Sequence, residues 1–182
     1  MNRCWRCLRD QLYMDYHDHE WWVPIHDDTK HFEFLVLETF QAWLSRYTIL
    51  RKRANFHLTF DNFDPITIGN YTPDKVEELM QNSDIVRHRG KILAAITNAH
   101  IFLQIQAEYG SWDNFIRAYT DGKVINNQVT DYRQAPTTSP LSDQISKDLR
   151  KLGMKFVGST VMYAHLQATG QVNDHEVSCK YH

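Results

Sequence analysis

The chain has 182 residues, enough for one sizeable core and too few for two independent domains, so residues 1–182 are expected to form a single domain. Its composition, 42% hydrophobic and 23% charged with 7 Gly and 5 Pro, is that of a globular protein and excludes disordered or fibrous classes. The net charge of −2 excludes a global electrostatic field for nucleic acid, so any such surface must be a local patch. There is no run of eighteen apolar residues, and the N-terminal Met1-Asn2-Arg3-Cys4-Trp5-Arg6-Cys7 has no apolar stretch like a signal peptide. A cytoplasmic protein without membrane contact is therefore expected, and its small size suits a monomer.

Along the chain, Phe32, Leu35, Val36, Thr39, Phe40 and Trp43 recur at three- and four-residue steps after the caps Asp28 and Thr29, which predicts an amphipathic helix. A second helical run follows from about Tyr47 to Phe56, with Arg51-Lys52-Arg53 on its exposed side. Thr72-Pro73-Asp74 supplies a cap, a proline at the first helical position and an acid in the first turn, for a short helix ending near Asn82. Ile92, Ala95, Ile96, Ala99, Phe102 and Ile105 share one face of a longer helix over Lys91 to Tyr109, terminated at Gly110. Ser111 caps a short helix to Tyr119, and Asp121-Gly122 turns the chain into a polar loop that reaches Pro140. Two final helices, Leu141 to Leu152 and Gly158 to Thr169, flank the hairpin Gly153-Met154-Lys155-Phe156-Val157. No strand alternation of useful length occurs, so the expected class is all-α.

The hairpin has glycines at both ends, and Gly153 reads most simply as a helix C-cap. The same loop also suits an anion: free N–H groups at the start of the second helix, Gly158, the Ser159 hydroxyl and Lys155 could approach a phosphate. Lys147, Arg150 and Lys151 add a local basic patch.

Three cysteines, Cys4, Cys7 and Cys179, cannot complete a disulfide framework and leave metal binding or free thiols. Cys4 and His17 lie near one end of the chain, His175 and Cys179 near the other, the last two spaced i, i+4. Two thiolates and two imidazoles make a closed tetrahedral set suited to structural zinc and would join the two ends of the sequence. Cys7 is a rival ligand, and surface histidines with a free thiol are the plainer alternative.

Several blocks taken together resemble the 3-methyladenine DNA glycosylase I family, a helix-hairpin-helix group of base-excision repair enzymes. They are Met1-Asn2-Arg3-Cys4, Tyr16-His17-Asp18 followed by Glu20-Trp21, Thr48-Ile49-Leu50-Arg51-Lys52-Arg53, Arg87-His88-Arg89-Gly90-Lys91-Ile92, Lys155-Phe156-Val157-Gly158 and Val172-Asn173-Asp174-His175. The resemblance spans nearly the whole chain. It implies a helix-hairpin-helix glycosylase fold with the hairpin unit at about 141–169, and a structural zinc ion on Cys4, His17, His175 and Cys179. It also implies removal of 3-methyladenine from alkylated double-stranded DNA by base flipping. On this resemblance the catalytic residues are Glu38 and Tyr16, Trp21 and Arg46 belong to the base pocket, and Leu44 is the wedge that fills the gap in the duplex. Gly153, Lys155, Gly158 and Ser159 are the further DNA contacts. Related glycosylases carry a catalytic aspartate where Asn173 stands, and the resembled family works without one. Asp174 is left as a cap or as a residue orienting His175.

The chain departs from the family pattern near the pocket. Arg46 stands where a tryptophan stacks on the base, and Arg6 and Arg117 also replace tryptophan, while Trp22, Trp43 and Thr39 replace glycine. A guanidinium at Arg46 would oppose a cationic base and compete for Glu38. Tyr47 and Trp43 are candidate substitutes for the missing indole. An impaired member that binds DNA without excising bases is the competing expectation.

Overall fold

A computed structural model describes residues 2–182; Met1, which opens the first family-like block, lies outside the described residues. The described chain is mainly helical: α1 (Gln11–His19), α2 (Asp28–Gln41), α3 (Arg46–Thr59), α4 (Pro65–Gly69), α5 (Pro73–Gln81), α6 (Arg89–Tyr109), α7 (Trp112–Ala118), α8 (Pro140–Lys151) and α9 (Ser159–Ala168). The expectation of an all-helical fold meets one small exception in the 121–140 loop. There Ile125–Asn126 (β1) pairs in parallel with Val172–Asn173 (β2), a two-residue bridge too short to leave a periodic signal in the sequence.

Helix ends follow the expected chemistry with instructive shifts. Asp27, rather than Asp28, caps α2 by accepting from the Thr29 amide at 3.0 Å. Asp28 is thereby free to accept from the Trp112 and Asp113 amides at 2.8 and 3.2 Å, which anchors the start of α7. The helix stops at Gln41, two residues before Trp43, so Trp43 does not share its core face. Ser45 caps α3 and Thr72 caps α5, whereas α8 opens with a capping box between Ser139 and Ser142 and with Pro140 in its first turn. Gly110 ends α6 at φ +82°, a conformation that glycine adopts without strain. Two helices escape the sequence reading: α1, whose polar run QLYMDYHDH hides a buried face of Tyr13, Tyr16 and His17, and the five-residue α4.

Buried residues form two clusters. The larger is built mainly from α2, α3, α6, α7, α8 and α9 around Phe32, Phe40, Phe56, Phe102, Trp112 and Tyr163. The smaller gathers Cys4, Cys7, Tyr13, Tyr16, Trp21, Phe34, Leu50 and Cys179, so it packs segments close to both ends of the sequence against α2 and α3. Among the described residues no helix is long and apolar enough to cross a membrane.

Candidate active site and metal centre

Cys4, His17, His175 and Cys179 converge, all buried, with their ligand atoms within 4.8 Å of one another. Cys4 Sγ and Cys179 Sγ each lie 3.6 Å from His175 Nδ1, and Cys179 Sγ lies 3.7 Å from His17 Nε2. A tetrahedral ion with metal–sulfur bonds of about 2.3 Å and metal–nitrogen bonds of about 2.0 Å would need edges on the order of 3.5 Å between such atoms. The four residues therefore fit a metal ion.

Outer contacts hold each ligand in place. His17 turns Nδ1 to Asp18 at 2.9 Å, leaving Nε2 for the cluster, and Arg3 donates to the same carboxylate at 2.8 Å. Burial alone would raise the Asp18 pKa, but hydrogen bonds from His17 and Arg3 outweigh it and bring it down to about 2. Burial pushes the Cys4 thiol up to about 12 and His175 down to about 4, so the protein alone favours neutral donors and a bound cation would draw off the thiol protons. Cys7, the rival ligand, donates instead to the Cys4 carbonyl at 3.1 Å and stands outside the cluster. The expectation that Asp174 caps or orients His175 is not met. Asn173 Oδ1 accepts from the His175 amide at 3.0 Å, while Asp174 accepts from Tyr163, Gln167 and Asn127 at 2.7, 2.6 and 2.7 Å. Asn173 is thus turned toward its own backbone turn.

The second site lies beside this cluster, because α1 carries Tyr16 next to His17. Glu38, on the buried face of α2, is 2% exposed, and the Arg46 guanidinium at the start of α3 forms an ion pair with it. Arg46 also donates to the Tyr16 hydroxyl at 3.3 Å and lies 5.6 Å from the centre of that ring. Burial opposes the charge on Arg46, yet Glu38 and Tyr16 hold its pKa above the ordinary value. Burial likewise raises the Tyr16 phenol well above its usual range, so it is a neutral hydroxyl. Trp21 packs edge-on against His175, with ring centres 4.5 Å apart, and against Tyr132 at 5.7 Å, forming a wall common to pocket and metal centre.

Between Cys4, Arg6, Tyr13, Trp21, Arg46 and Tyr132 the remaining cavity is about 20 Å³. That is room for a water molecule and far short of a purine. An open groove of about 590 Å³ adjoins it, lined by Leu44, Gln41, Tyr47 and the outer side of Arg46. Leu44 is 42% exposed on this groove, as a wedge requires. Neither candidate substitute for an indole enters the pocket: Tyr47 donates to Asp10 at 3.0 Å, and Trp43 projects into solvent. Sequence reasoning missed the pocket walls Tyr13 and Tyr132 and the orienting Asp18. Tyr132 lies in the irregular loop, where no spacing marks it, whereas adjacency of a carboxylate to His17 was a usable signal for Asp18.

At the hairpin, Gly153 adopts φ +104° and Gly158 is the N-cap of α9 with no side chain closing it. Ser159 lines a groove of about 450 Å³ with Lys147, Arg150, Lys151, Ser146 and Asp143. Lys155, in the hairpin, is exposed. Asn98 accepts from its amide at 2.8 Å and donates to its carbonyl at 2.9 Å, so only the ammonium of Lys155 remains for a phosphate.

Known proteins share this fold. The family model described as methyladenine glycosylase matches residues 5–182. DNA-3-methyladenine glycosylase 1 of Escherichia coli (strain K12) is 42% identical over 179 residues, 98% of this chain and 96% of the relative. A crystal structure of 3-methyladenine DNA glycosylase I superposes with a TM-score of 0.95 at 44% identity, covering 100% of both chains. A variant of 3-methyladenine DNA glycosylase I in complex with 3-methyladenine superposes at 0.94 with 33% identity, covering 99% of this chain and 97% of that one.

Proposed function

The chain belongs to the methyladenine glycosylase family, and from that premise we infer that it is a DNA-3-methyladenine glycosylase, hydrolysing the bond between deoxyribose and 3-methyladenine in alkylated duplex DNA. Residues 1–182 act as one glycosylase domain, as a monomer in the cytoplasm, since the pocket and the metal ligands come from a single chain.

Methylation at N3 makes the base cationic. When the glycosidic bond breaks, its electron pair neutralises the departing base, water oxygen bonds to C1′, and the water proton passes to solvent. Such a base leaves without a proton donor, and the cationic sugar it leaves behind takes up water with little help from a general base, which fits an asparagine, Asn173, occupied with its own turn. The work left to the protein is to extrude the nucleotide and stabilise a cationic ring. The Glu38 carboxylate, the Tyr16 hydroxyl and ring, and the Trp21 face are the groups suited to it. Arg46 must leave Glu38 before a base can enter, and the groove it already borders gives it a place to go. Leu44 fills the space left in the duplex, while Gly153, Lys155, Gly158 and Ser159 with the basic patch hold the backbone.

The metal is zinc on this reading, because two thiolates and two imidazoles at these separations suit it. With four protein ligands it leaves no position for water and serves the fold rather than the chemistry.

The observation that carries the proposal is that Glu38 and Tyr16, both buried, are joined through Arg46, which itself lines the groove of Leu44, in a chain matched by the family over residues 5–182. Native protein incubated with alkylated duplex DNA should release free 3-methyladenine, and Glu38→Ala should abolish release. If the native protein releases none, the glycosylase reading fails. One observation favours a second reading, a DNA-binding protein without excision: Arg46 occupies the place of the base. Salt-dependent binding of undamaged duplex with no release of base would support it.

A further inference from the structure

Trp43 is 98% exposed and sits at φ +72°. Both properties are costly for a large aromatic residue, since left-handed backbone crowds the Cβ and an indole in water forgoes burial. The turn that imposes them is fastened from beneath. Lys91 on α6, only 3% exposed, donates from Nζ to the Phe40 carbonyl at 2.9 Å and the Ala42 carbonyl at 2.6 Å. Its ammonium thus satisfies carbonyls at the C-terminus of α2 that have no helical partner and opposes the negative end of the dipole. The Leu44 amide donates to Gln41 at 2.7 Å and closes the turn with Trp43 at its tip.

The same helix positions the hairpin. Asn98, two turns along α6 from Lys91, holds Lys155 by both amide and carbonyl. Trp43 therefore stands in fixed relation to the hairpin, and it lines a groove of about 500 Å³ with Arg150, Phe156, Gly158, Ser159 and Thr160. An occupant of this groove should offer an anionic group to Arg150 and the free start of α9, and a flat apolar face to the indole. Duplex DNA offers both, as phosphate and base.

We propose that Trp43 is a second duplex-probing side chain beside Leu44, stacking on a base exposed next to the position that the flipped nucleotide vacates. The proposal rests on the glycosylase reading above. Every base has a π face, so the contact tolerates sequence and responds to an interrupted stack rather than to base identity. Lys91 and Asn98 are the positioning residues that keep this turn and the hairpin in register.

Trp43→Gly tests it, because glycine adopts the turn's backbone freely and only the indole is lost. Affinity is measured for one duplex with a central stable abasic analogue and for the same duplex intact. Trp43→Gly should weaken binding to the abasic duplex about ten-fold, the scale of losing one base–aromatic stack. It should change binding to the intact duplex much less, and leave both the melting temperature and the affinity for free 3-methyladenine undiminished. Trp43→Phe should fall between the two on the abasic duplex. Native-like affinity of Trp43→Gly for the abasic duplex, or an equal loss on both duplexes, overturns the proposal. Base release by the native protein, measured in parallel, reports on the glycosylase reading separately from this affinity difference.

Discussion

Two buried polar clusters flank α1, one through His17 and the other through Tyr16, and they balance charge in opposite ways. In the terminal cluster, burial favours the neutral forms of Cys4, His17 and His175, and Asp18, Arg3 and Asn173 hold the geometry of the four donors. A cation arriving there completes the arrangement. In the pocket, Glu38 already has its cation, Arg46, drawn from the next helix. On the proposed function, a cationic base arriving there would have to break an existing pair first. On that reading the first cluster would gain stability from its ligand, whereas the second would give up part of its own to bind one.

The largest effect should come from undoing the first cluster. Protein purified without chelator should contain one zinc atom per chain by elemental analysis. Cys179→Ala should then lower unfolding stability by about 4 kcal/mol or more, the range reached when a metal site is lost. A zinc-free native protein of undiminished stability would erase the contrast.

The next largest tests the second cluster. Arg46→Trp removes the internal cation and should raise kcat/KM for 3-methyladenine excision about ten-fold or more, since breaking a partly buried pair costs on the order of a few kcal/mol. If native protein excises efficiently and Arg46→Trp leaves the rate unchanged, Arg46 does not compete with the base. The smallest effect lies outside both clusters. Lys155→Ala should weaken binding to all duplexes alike and make the log–log salt slope shallower by about 1, as loss of one phosphate contact does. An unchanged salt titration would remove Lys155 from the interface.

Legibility in the sequence followed the strength of local signals. The helices from Thr72 to Tyr119 and the hairpin pair were readable within a residue or two, because caps, prolines and terminating glycines mark them. Helix α1 was not, because its buried face is made of tyrosines and a histidine within a polar run. The donor set of the metal cluster was legible from residue chemistry, but choosing Cys4 over Cys7 took the resemblance, and the fold agrees, with Cys7 bonding to a carbonyl outside the cluster. In the pocket, Glu38 on its own reads as a surface acid and Leu44 as core, and their significance came only through the resemblance. The competition of Arg46 for Glu38 followed from charge once the resemblance had placed both residues at the pocket, whereas the direction of Trp43 depended on a backbone φ that no periodicity encodes.

The meeting of Cys4 and His175 across 171 residues has a consequence for how the protein is made. Closing so long a loop adds little to its cost in free energy, since each doubling of length adds only about 0.6 kcal/mol. In time it is expensive. Contacts of such separation form late, and a ribosome delivers Cys4 and His17 well before their partners exist. Until His175 and Cys179 have been synthesised, α1, which carries Tyr16, has its contacts with α2 and α3 but lacks those of the cluster. The cluster beside the proposed base pocket is therefore completed only after residues 175 to 179 have been made, so a nascent chain that has finished its helical core still lacks this support next to Tyr16.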